Sequence, residues 1–128
     1  MNKLLIASLS AGALLFSTMA FADVAAELTT AQTHAGLAAK ATNVNTVHMH
    51  LHHALNCLVG PGGAGFDATN ANPCASQGKG IIPDSMDAAQ KTKLQAAVAD
   101  AQRGIAASDL ATAQAAATET ATAIGAAK

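Results

Sequence analysis

The stretch VGPGGAGFDATNANPCASQGKGIIP, residues 59–83, constrains this chain more than any other part of it. Gly, Pro and Asn recur so densely that no helix can run through it. It splits the chain into two halves that must each supply their own regular structure. A connector of 25 residues inside a small domain is usually functional or pinned. The two cysteines, Cys57 and Cys74, sit just before it and within it. In an exported chain such a pair reads as one disulfide. It staples the connector back onto the preceding segment and is worth roughly 3 kcal/mol on a chain-entropy argument. The primary reading of residues 59–83 is therefore a disulfide-tethered loop. A ligand-covering role for Phe66 and Asp67 is the alternative.

Export is expected from the other end of the sequence. Asn2 and Lys3 precede an apolar run, Leu4 to Phe16, and Ala20-Phe21-Ala22 supplies a small-x-small cleavage pattern. Residues 1–22 read as a secretory leader, and residues 23–128 as one domain in the periplasm or outside the cell. The apolar run is short for a membrane span, and no later segment is long and apolar enough for one. Without the leader the chain keeps six basic and eight acidic side chains, a net charge of about −2 that leaves no basic stripe for nucleic acid or anionic lipid.

Both halves flanking the connector carry helical periodicity. Leu37, Val44, Val47, Leu51, Leu55 and Leu58 form one apolar stripe, with a break or kink expected near Gly36 or Thr42-Asn43. After the connector, Asp84 opens a second helical segment as an N-cap candidate. Leu94, Val98, Ala101 and Ile105 then repeat at helical spacing. Ser108 is a cap candidate for a last helix from about Asp109 to Ala126, facing inwards through Leu110, Ala113, Ala117, Ala121 and Ile124. The fold class is all-α: a small antiparallel bundle of three to four helices with one long disulfide-tethered loop. Its core is thin. Phe66 is the only aromatic residue after the leader and alanine dominates the apolar count. Alanine favours helix but buries little area, so a disulfide, a ligand or self-association is expected to help.

The chemistry lies in VHMHLHHALNC, residues 47–57, which holds four of the five histidines within six positions. At about 100° per residue, His48 and His52 fall together on the flank of the apolar stripe, one turn apart. That i, i+4 spacing suits a shared metal ion. Met49 and His53 form a second i, i+4 pair, and His50 projects nearly opposite the core. His34 is on a suitable face, but it stands about 21 Å from His48 along an unbroken helix and reaches it only if the chain folds back near residues 41–43. Imidazole suits Zn(II), Cu(II) and Ni(II), and a thioether adds affinity for Cu(I). Asp67, Asp84, Met86 or a second subunit are candidates for completing the shell. A plain solvent-facing polar surface and a pH-responsive cluster are the competing readings.

Other chemistries find little support. There is no CxxCH for covalent haem, and a core poor in aromatics favours an ion over a non-covalent haem held by one of these histidines. GPGGAG follows a helix rather than a strand, HExxH is absent, and no nucleophile stands beside a base. An enzyme is not expected.

The Ala-rich hairpin KLQAAVADAQRGIAASDLATAQAAATETATAIGAAK, together with the histidine pairs and the leader, resembles the small metal-binding periplasmic proteins. The likeness covers about a third of the chain. It implies a periplasmic four-helix bundle that takes up divalent metals, copper especially. The ligand role it implies falls on His48, His52, His53 and His50, and loosely on His34. The C-terminal hairpin carries no histidine and the disulfide loop is an addition to the family's plan. The expectation is thus a periplasmic transition-metal-binding protein for sequestration or delivery, with His48 and His52 as the principal ligands and His53, Met49 and His50 beside them. The rival is a structural or interaction protein of the envelope that forms a homo-oligomer or binds a protein partner without metal.

Overall fold

The computed structural model describes residues 22–128, so the expected leader lies outside the described residues but for Ala22. The described residues form four long helices and one short one, with no strand among them: α1 (Val24–Lys40), α2 (Val44–Val59), α3 (Ile81–Asp84), α4 (Ala88–Ala106) and α5 (Leu110–Ala126). Of the two alternative places for a break in the first half, the one at Thr42-Asn43 is real, with α1 and α2 separated by residues 41–43, whereas Gly36 lies inside α1. Asn43 sets the start of α2 by accepting a hydrogen bond from the Thr46 amide at 2.9 Å, the role of a good N-cap.

The caps of the second half fall slightly later than the sequence suggests. Asp87, not Asp84, opens α4, accepting from the amides of Ala89 and Gln90. Asp109, not Ser108, opens α5, accepting from Thr112. Asp84 instead closes α3, and its carboxylate receives the Lys79 amide. Asp84 is thus committed to the connector and leaves the cap of α4 to Asp87, while at α5 a carboxylate takes the place of the serine hydroxyl and also meets the positive end of the helix dipole.

The helices pack as a ring in which α1 neighbours α2 and α5, and α4 neighbours the same two. Three-residue turns join α1 to α2 and α4 to α5, making two antiparallel hairpins. Leu51 and Leu58 of α2, Leu94 of α4, Ile124 of α5 and Ile81 of α3 are the largest apolar side chains sealed in the core. Alanines fill the remainder, at Ala31, Ala35 and Ala38 on α1 and Ala97 and Ala101 on α4. Small residues let the helix axes approach: a Cβ added at Gly104 would come within 2.5 Å of Leu51 Cδ1.

The connector is pinned at three places. Cys57 and Cys74 form a disulfide with Cα atoms 5.2 Å apart. Asn56 is fully buried, and its Nδ2 donates to the carbonyls of Asp67, Asn70 and Ala71 while its Oδ1 accepts from the Asp67 amide at 2.9 Å. The ends of the connector meet at Gly60 and Gly80, where a Cβ on Gly80 would lie 2.6 Å from Gly60 N. Gly60 has φ of 68°, so both the close approach and the left-handed backbone call for glycine.

Candidate metal centre

Sharp reversal at residues 41–43 lays α1 alongside α2 and carries His34 back to the histidine segment. His34, His50 and His53 each bring one ring nitrogen within 4.8 Å of the others. Ring centroids are separated by 5.5 Å for His34 and His50, 5.0 Å for His34 and His53, and 5.7 Å for His50 and His53. The three can hold a metal ion together. His50 and His53 are i and i+3 on α2, neighbours on one helical face, and His34 faces them from α1. All three are half-buried on the rim of the α1/α2 interface.

The spacing is already close to that of a coordination shell. His34 Nδ1 and His50 Nδ1 lie 3.3 Å apart. Two nitrogens bound tetrahedrally to Zn(II) at about 2.0–2.1 Å stand about 3.3–3.4 Å from each other. In the metal-free state that contact is a hydrogen bond, and it requires one ring to donate and the other to accept. His53 Nδ1 is buried with no hydrogen-bond partner, a state that native structures rarely leave uncompensated.

Electrostatics favours the ligand form of these rings. Burial, and then the neighbouring His53 and His50, push the His34 pKa below its ordinary value. Burial, and then His50 and His52, do the same for His53. Both therefore stay neutral further into the acid range, and neutral imidazole is the form that binds metal.

The structure distributes the expected ligands unevenly. His50 and His53 join the cluster, and His34 is drawn into it in place of the principal pair. His48 is turned to the C-terminal end of α4, where its Nε2–H donates to the carbonyl of the C-cap residue Ala107 at 2.9 Å. His52 faces the connector, with Nδ1 3.5 Å from Asp67 Oδ2, ion-pair range without a hydrogen bond. The two rings of the i, i+4 pair thus serve different neighbours. Met49 is exposed. His50, expected to project almost opposite the core as an exposed imidazole, is instead half-buried and meets His34 of α1.

The two carboxylate candidates for completing the shell are engaged elsewhere, and the thioether is in solvent. Asp67 accepts from the Thr69 hydroxyl and amide and from Asn70 Nδ2, bonds that hold its pKa at about 2. Asp84 is bound to the connector backbone, and Met86 is 97 % exposed. The sequence does carry a signal for His34: Asn43 as an N-cap marks a restart of the helix, and with it a hairpin.

Compared with protein-family models, with curated proteins and with solved structures, the chain shows no match. The site therefore has to be interpreted from its own geometry.

Proposed function

We propose that this chain is a periplasmic transition-metal-binding protein, and that it holds the ion through His34, His50 and His53 for sequestration or delivery rather than for catalysis. The observation that carries the reading is the 3.3 Å approach of two imidazole nitrogens from different helices, with a third imidazole close by. An all-imidazole set without carboxylate or thiolate suits Zn(II), Cu(II) or Ni(II). Three protein ligands leave a position open for water or an incoming ligand, and a half-buried rim lets an ion exchange. An open position is common to carriers and catalytic sites, whereas a structural site is usually closed; the exchangeable rim is what favours a carrier. A periplasmic location rests on the leader-like residues 1–22 and is compatible with the disulfide. No described helix is long and apolar enough to cross a membrane.

The test is calorimetric titration of the exported protein with Zn(II), Cu(II) and Ni(II). One ion per chain is expected, with binding lost in the His34→Ala/His50→Ala/His53→Ala variant. A variant that bound with unchanged stoichiometry and affinity would sink the assignment.

A further inference from the structure

A second site lies on the connector side of the bundle and shares no residue with the histidine cluster. A cleft of about 820 Å³ opens between the connector, α3 and α4. Val59, Pro61, Ile82 and Val98 give it apolar walls, and Lys79 and Lys91 line it as well. No acidic side chain lines it. Among the described residues neither lysine ammonium has an ion-pair or hydrogen-bond partner, whereas Lys93 nearby donates to the Ala126 carbonyl.

We infer that this cleft binds a single-chain amphiphile of the fatty-acid class, with its alkyl chain along the apolar walls and its carboxylate between Lys79 and Lys91. Three features support the assignment. The volume falls within the roughly 300–1,000 Å³ of small-molecule sites, and an apolar lining with few polar groups is their usual composition. The charged residues of the lining are both basic, and neither ammonium has an ion-pair partner among the described residues, the nearby Asp84 carboxylate being held on the Lys79 amide, so an anionic group complements them. Finally, the cleft is held open. The disulfide, the Asn56 hydrogen bonds and the Gly60/Gly80 contact fix the connector, so the walls are formed before a ligand arrives and little ordering cost remains.

The ligand class makes the test specific. Binding of octanoate, decanoate, decanol and decyltrimethylammonium to the full exported chain would be measured by calorimetry below their micellar concentrations. Decanoate is expected to bind saturably at one site and roughly fifteenfold more tightly than octanoate, since each of the two extra methylenes contributes about a fourfold gain when buried. Decanol should bind more weakly, and the cationic amphiphile not at all. Lys79→Gln/Lys91→Gln should weaken decanoate about tenfold and leave decanol unchanged, with the melting temperature confirming an intact fold. Val98→Ser should weaken both. Equal affinity for decanoate and decyltrimethylammonium, an unaltered decanoate affinity in the double lysine variant, or no saturable binding of decanoate would each overturn the proposal.

Discussion

His34 and His50 are sixteen residues apart in the chain, yet their Nδ1 atoms lie 3.3 Å from each other across the α1/α2 interface. The contact depends on the three-residue turn between the helices and on alanines that let α1 approach closely. It ties the proposed metal site to a hairpin rather than to one helix, and this separates the contributions of the five histidines.

His34→Ala is expected to weaken Zn(II) binding at least tenfold, although His34 stands outside the histidine-dense segment. His48→Ala should leave metal affinity unchanged and lower stability by about 1 kcal/mol, through loss of its hydrogen bond to the Ala107 carbonyl. Calorimetry and denaturant unfolding of the two variants, side by side, check the contrast.

Asn56 holds the connector with both ends of its amide. Asn56→Asp keeps the shape but replaces a donor group facing three carbonyls with a carboxylate. A destabilisation of about 3 kcal/mol is expected, because a buried charge is left among acceptors. Urea unfolding at neutral pH measures it.

Loss of the Cys57–Cys74 bridge in a Cys57→Ala/Cys74→Ala variant should cost roughly 3 kcal/mol. Metal binding should survive, since α1 and α2 meet without the bridge. Amide exchange should then show faster opening in residues 60–80 than in the helices.

Glu27 supplies the pH dependence. Its side chain is fully buried; Oε1 accepts the Gly80 amide at 3.1 Å while Oε2 has no partner. Burial raises its pKa above the ordinary 4.5, the Gly80 hydrogen bond partly offsets this, and Asp84 and Asp23 raise it further. The folded state thus holds this proton more tightly than the unfolded chain. The contribution of Glu27 to stability is complete below pH 4.5 and is lost as the pH rises through the raised value. Glu27→Gln, neutral throughout, should melt about 4 °C above the parent at pH 7.5, the shift that about 1 kcal/mol produces in a domain near 100 residues. The difference should shrink as the pH falls towards 4.5. Thermal melts of both proteins across that range would show it, and a gap independent of pH would contradict the assignment.

Local pattern determined much of this protein. The apolar stripe from Val44 to Leu58 and the repeats after Asp87 specify helices, because a period near 3.6 residues leaves few alternatives for burying one face. The Gly- and Pro-rich run forbids helix through residues 59–83, and a chain with two cysteines has a single intramolecular disulfide open to it. The cap positions were less legible, since Asp84, Ser108 and their acidic neighbours satisfy the same local rule. Tertiary structure alone decided which imidazoles converge. Periodicity fixes where a ring points relative to its own helix, and on that basis His48 and His52 form the natural pair. It does not fix the register of α1 against α2, nor that the turn after α4 presents the Ala107 carbonyl to His48. Those follow from a short turn and from close packing between helices whose contacting residues are distant in sequence, and they brought His34 to His50 and His53.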